Sequence, residues 1–327
     1  MYTRRNYGFW MTFNWSKRPF IFGLVYSTAV FALSHYLSNQ IHLPWSAVTV
    51  IGIAVAFYLG FKNNSAYDRT WEARKIYGAI VNSSRSFAAA VVSFIKGKED
   101  HEVKKELIHR HIAWMTALRH QLRLSKPWEH TDERLRHYVP TICESYNNKL
   151  DAELSSYISP TEIAALEGKT NKATQLLKTQ SARLQELHDQ GYFEHFRHMQ
   201  FFDLVKDFYD NQGKAERIKN FPFPRQYAST ALWITYVFAA LVPFGIVDVF
   251  MNAAEWVYWV SPIFSALIIW VFFLMEKIGD YSENPFEGTY NDVPITQISR
   301  GIEIDIREMI GDDNIPGPIK EENGFLM

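Results

Sequence analysis

Hydrophobic positions gather in blocks near both ends of this chain, and a polar middle with helical periodicity separates them. A membrane-crossing helix needs roughly 20 mainly apolar residues. Four runs qualify: about Phe20 to Leu37, Pro44 to Phe61, Tyr227 to Val247, and Trp256 to Met275. Pro19 opens the first run and Pro44-Trp45 the second, since proline suits the start of a helix. The second run has further structure. Ile53, Phe57 and Phe61 recur every four residues and so stack along one helix face. Gly52, Ala54, Ala56 and Gly60 lie between them, small enough to let neighbouring helices approach closely. The pattern does not stop at Lys62. Ala66, Trp71, Ala73, Ile76, Ala79 and Ile80 extend the helix beyond it, which predicts one helix that carries an apolar stripe inside the membrane and keeps going outside. Such a helix is a candidate pore liner.

The middle, Ala79 to Asn220, is too polar to span a bilayer. Ile108, Ile112, Met115, Leu118 and Leu122 follow a helical period, as do Leu176, Leu177, Leu184 and Leu187. Pro127, Pro140 and Pro160 break the stretch into helices, and Ser159 to Glu162 reads as a helix start. Phe221 to Pro224 ends the last soluble helix, because each proline disfavours helix before it. The tail from Glu276 carries Pro285, Pro294, Pro316 and Pro318 and is expected to pack along the soluble helices. No strand alternation, internal repeat or low-complexity tract stands out. The predicted fold class is an all-α membrane protein with four transmembrane helices and a helical cytosolic domain. The expected division is 1–78 (an interfacial segment and two spans), 79–225 (cytosolic helices), 226–276 (two spans) and 277–327 (cytosolic tail).

Charge orients these elements. Net charge is only -1, but it is unevenly spread. The links Ser38 to Leu43 and Asp248 to Glu255 hold no Lys or Arg, whereas the N-terminus, the middle and the tail all carry them. The positive-inside rule then predicts a multi-pass protein of the plasma or inner membrane with both termini cytoplasmic. Arg4, Arg5, Lys17 and Arg18 among aromatic residues predict a segment at the bilayer interface over residues 1–18. The first apolar stretch lacks a convincing small-residue cleavage site, so no cleavable leader is expected. The single cysteine, Cys143, excludes an intrachain disulfide.

Enzyme chemistry finds little support. His109 and His111 point apart on a helix, and His195 and His198 have helical spacing for a shared metal but no carboxylate or cysteine at a ligand position beside them. The readings weighed there are a structural metal and plain solvated or interhelical histidines, and the second prevails. No nucleophile elbow, P-loop or dinucleotide fingerprint is present, so no catalytic residue, cofactor or metal is assigned. Basic residues are matched by acids and leave no nucleic-acid footprint. For the polar stretch after Phe61, two readings stand. Asn63, Asn64 and Asp68 could line a vestibule, or Asp68, Arg69, Glu72 and Arg74 could pair at helix contacts.

The segment Phe57 to Phe61 followed by NNSAYDRTWEAR, from Asn63 to Arg74, resembles the bestrophin ion channels and especially their prokaryotic branch. Two further stretches agree: Gly213 to Ile218 with Pro222 and Pro224, and Glu283 to Phe286 with Asn291 to Pro294. The resemblance covers nearly the whole chain and is weakest between Lys126 and Gln190. It implies a homopentamer in the lipid bilayer around a central pore for monovalent ions, either chloride and small anions or, in the bacterial branch, cations. Counting back from Arg69 to Trp71 places a hydrophobic neck on Ile53, Phe57 and Phe61. Counting back from Ala215 to Ile218 places a cytoplasmic aperture near Met199. Eukaryotic members bind calcium just after the Asn-Pro-Phe motif. Here that segment, Glu287 to Asp292, is short of carboxylates, and Ala215 replaces the usual cysteine. A second function class remains beside the channel: a non-conducting membrane scaffold or sensor whose central stripe is sealed packing.

Overall fold

A computed structural model describes residues 1–37, 41–97, 100–129, 149–251, 255–289 and 292–326. Pro140, Cys143, Asn291 and parts of both short links lie outside these residues. The described residues form eleven helices: α1 (Phe9–Tyr36), α2 (Trp45–Phe94), α3 (Asp100–Arg123), α4 (Leu150–Leu154), α5 (Pro160–Ala165), α6 (Lys172–Asp189), α7 (His195–Asn220), α8 (Arg225–Phe250), α9 (Glu255–Trp259), α10 (Ser261–Asp280) and α11 (Ile295–Met309). The helices α1, α2, α8 and α10 are long and apolar enough to cross a membrane. The chain divides into two compact units. One comprises Arg4–Arg69 and Phe223–Asn284, and the other comprises Met1–Thr3, Thr70–Pro222 and Pro285–Met327.

In the first unit the small residues act as the sequence suggests. A Cβ on Gly52 would sit 2.7 Å from the Phe238 ring, and one on Gly245 would sit 2.7 Å from the Trp45 ring. Glycine therefore allows α2 and α8 to touch, and Val48, Val55 and Leu59 pack against Ala231, Phe238, Val242 and Ile246. Two span boundaries differ from expectation. The first helix starts at Phe9, ten residues before Pro19, which lies inside it. A helix-interior proline leaves the carbonyl four residues earlier without its donor. Here that carbonyl belongs to Trp15, and Lys277 Nζ donates to it at 2.6 Å while lying over the Trp15 ring. Trp270 Nε1 also donates to Ser16 Oγ at 2.9 Å. Contacts from α10 thus stabilise a helix that local sequence would end. The fourth run is also broken: Glu255–Trp259 forms a separate short turn, and the long helix begins at Ser261 with Pro262 in its first turn. Proline at that position favours a new start over continuation.

The second unit is a helical bundle around one core. Ile76, Ile80, Phe87 and Val91 of α2 meet Leu107, Ile108, Ile112 and Leu118 of α3, Leu176, Leu177 and Leu184 of α6, and Phe201, Val205 and Phe208 of α7. Ser159 caps α5 by accepting from the Glu162 amide, and Pro160 stands in its first turn. The tail joins the core through Ile295, Ile302 and Ile306 of α11, which packs on α3. Phe286 is fully buried in the left-handed region at φ 74°, a rare conformation for a bulky side chain. Its amide donates to the Asp292 carboxylate at 2.8 Å.

Candidate pore-lining face

Helix α2 continues unbroken through the polar stretch where an ordinary span would end. Val48, Val55, Leu59 and Ala66 are buried. On the opposite side Ile53, Phe57 and Phe61 are exposed in the single chain, at 53%, 66% and 61%. Asn64 and Asp68 are exposed as well. At ~100° per residue, Ile53, Phe57, Phe61, Asn64 and Asp68 fall within roughly 80° of one helix face. This face is apolar for about 12 Å and then turns polar.

The charged and amide groups beside this face show why its other side is fixed. Lys62 is 1% exposed, and its ammonium donates to Glu276 Oε1 at 2.8 Å. A buried lysine needs such a partner because desolvation of an isolated ammonium is costly. Asn63 turns toward α10, where its Nδ2 donates to the Met275 carbonyl at 3.0 Å. Gly279 is tied to the same contact, since a Cβ there would lie 2.2 Å from Asn63 Oδ1. Arg69 Nε donates to the Glu283 carbonyl at 2.9 Å, and Arg225 pairs with the Glu283 carboxylate at 3.3 Å. Glu72, in the second unit, pairs with Arg217 at 2.7 Å. Asp68 has no partner among the described residues. Pairing therefore accounts for Arg69 and Glu72 but not for Asp68. Helical phase, which splits Asn63 from Asn64 by about 100°, could have separated the two asparagines in the sequence.

Met199 lies in the second turn of α7 and is exposed, with exposed Phe196 and Phe202 to either side. His109 and His111 take structural places. His111 is buried, lies within 2.9 Å of Ser84 Oγ, and touches the rings of Phe87, Trp114 and Phe208. Burial pushes its pKa down to about 3, so it is neutral at physiological pH. His109 Nε2 lies 3.0 Å from Asp312 Oδ2. Burial alone would raise the Asp312 pKa, but hydrogen bonds to His109 and Arg307 outweigh it and hold the carboxyl at about 2. His198 stacks on His188 with ring centroids 4.9 Å apart, and His195 lies 5.6 Å from His188. Among the described residues, no group of three His, Cys, Asp or Glu side chains is arranged to hold a metal ion.

Comparison with known proteins gives a consistent result. The family described as bacterial and fungal bestrophin proteins matches residues 17–308. A relative from Ralstonia nicotianae, described as a voltage-dependent anion channel-forming protein, is 27% identical over 281 residues, covering 86% of this chain and 82% of its own. A relative of the same description from Escherichia coli K12 is 26% identical over 94% of this chain and 90% of its own. The crystal structure of a bacterial bestrophin homologue from Klebsiella pneumoniae superposes with a TM-score of 0.76 at 20% identity, covering 90% of this chain and 98% of that one.

Proposed function

Because this chain belongs to the bacterial and fungal bestrophin family, whose members are ion channels and not enzymes, we propose that it forms a homopentameric channel for monovalent ions. The observation that carries the proposal is the α2 face. A subunit that leaves Ile53, Phe57 and Phe61 exposed on a long helix, while burying the opposite side, needs other subunits around that stripe. In a five-fold assembly the three side chains form three apolar rings over about 12 Å. Apolar constrictions gate by excluding water and carry little preference for charge sign. Asn64 and Asp68 follow the neck into a vestibule, while Asn63 serves the contact with α10. Met199 forms a second narrowing at the cytoplasmic exit. The relatives' description supports anion conduction, and cation conduction is the alternative that the neck leaves open.

The protein resides in the plasma or inner membrane, with 79–225, the tail and both termini on the cytoplasmic side. A cysteine at Asn39 or Asn252 (both outside the described residues) should react with an impermeant thiol reagent added to intact cells. Labelling only after lysis would invert this topology. The channel reading itself is tested by purified protein in a planar bilayer under a salt gradient. Unitary currents with a defined reversal potential are expected. A dimer without currents would favour a scaffold or sensor instead.

A further inference from the structure

An apolar neck does not choose between cations and anions, so the choice falls to the first fixed charge on the permeation face. In the first unit the charges near the polar end of the stripe are tied to neighbours: Lys62 to Glu276, and Arg69 and Arg225 to Glu283. Asp68 is the exception. It is exposed, has no partner among the described residues, and lies on the face of Ile53, Phe57 and Phe61. It follows Phe61 by seven residues, about 10 Å along the helix axis. Asn64 between them is uncharged. We propose that Asp68 sets the sign of the permeant ion: one carboxylate per subunit forms an acidic ring below the neck that favours monovalent cations and opposes anions.

The inference rests on the reading of α2 as the pore liner. A carboxylate side chain is anionic at neutral pH. Charges arranged around one path act together on the same ion, which is how acidic rings select cations. Further along α2, Glu72 is paired with Arg217, and Lys75, seven residues after Asp68, is exposed. An ion leaving the neck meets Asp68 first. Whatever anion preference the relatives have, the ring here works against it.

The test is the reversal potential of the purified, reconstituted full-length protein under a potassium chloride gradient. The expected wild-type value lies on the potassium side. D68N keeps the shape and removes the charge, and should lower the potassium-to-chloride permeability ratio about tenfold. D68K should lower it further. D68C, made with C143S, should match D68N. A negatively charged thiol reagent should then restore cation preference, and a positively charged one should move it the other way. K75Q should shift the ratio in the opposite sense to D68N. Unchanged reversal in D68N and D68K with persisting current would overturn the proposal, as would strong chloride selectivity in the wild type. Loss of the oligomer in D68N would also overturn it, by making Asp68 a packing group. Absence of current from the wild type, these variants and a neck-truncated variant alike would instead remove the channel reading, and this inference with it.

Discussion

Replacing Arg123 by Met should loosen the tail loop and lower stability by about 3–5 kcal/mol. Arg123 and Asp292 are paired, and each side chain is 1% exposed. Arg123 Nη2 also donates to the Val293 carbonyl at 3.1 Å. The Asp292 carboxylate gathers the loop around itself. Its Oδ1 accepts from the amides of Phe286 and Val293, at 2.8 and 2.6 Å, and its Oδ2 from that of Gly288 at 2.7 Å. R123M removes the paired guanidinium and leaves this buried carboxylate with its backbone donors and the less direct charges of Lys219 and the N-terminal ammonium. Much of the desolvation cost of the charge then appears. At roughly 2–4 °C per kcal/mol, the apparent melting temperature in detergent should fall by roughly 6–20 °C. D292N should also be costly, because an amide group would replace one acceptor oxygen in a ring of donors. The double variant should lose less than the sum, since the two residues share one interaction. The same geometry predicts calcium independence. Calcium takes six to eight oxygen ligands, and the tail loop offers only the carboxylates of Glu287 and Asp292, the second already held by an arginine. Neither calcium nor a chelator should move the wild-type melting temperature, and calcium should not rescue R123M. An R123M melt within about 2 °C of wild type, or a calcium-dependent rise in it, would refute the argument.

Two further predictions concern buried groups. His111 has a folded pKa of about 3 against an ordinary value of 6.5, so the unfolded chain binds the extra proton first as pH falls. Stability from the neutral ring is complete above about pH 6.5 and is lost as pH drops toward 3, on the order of 5 kcal/mol across that window. H111Q should therefore show a smaller decline in melting temperature between pH 7 and pH 5 than wild type, and parallel declines would contradict this. G279A would press a methyl against Asn63 Oδ1 and should cost about 1–3 kcal/mol. N63S in the same protein should relieve part of that loss, and equal melting of G279A and G279A/N63S would place the strain elsewhere.

The continuity of α2 was legible in the sequence because Ala66, Ala73, Ile76 and Ile80 keep the helical phase past Lys62. The exposed stripe of Ile53, Phe57 and Phe61 was legible as a repeat of four, although periodicity alone could not say whether that face met lipid, protein or water. Long-range partners were not legible. Lys62 looks like the end of a span, and only the position of Glu276, 214 residues later, explains its burial. Pro19 looks like a helix start, and its acceptance inside α1 depends on Lys277 reaching the Trp15 carbonyl. Asn63 and Asn64 are equivalent by composition and differ only in helical phase, which directs Asn63 to the Met275 carbonyl. Pro262 did mark the start of α10, but the apolar run from Trp256 concealed it.

In the proposed channel Ile53, Phe57 and Phe61 form the constriction that limits current. Single-channel recording of I53A/F57A/F61A tests it most directly. Truncating three buried packing residues would be strongly destabilising, since Phe to Ala in a core costs about 3–5 kcal/mol for each ring. Truncating three pore rings widens the path and leaves the oligomer intact. The expected result is a folded oligomer with higher conductance or open probability and a smaller change in selectivity. Loss of the oligomer, or a folded protein with unchanged currents, would contradict the account.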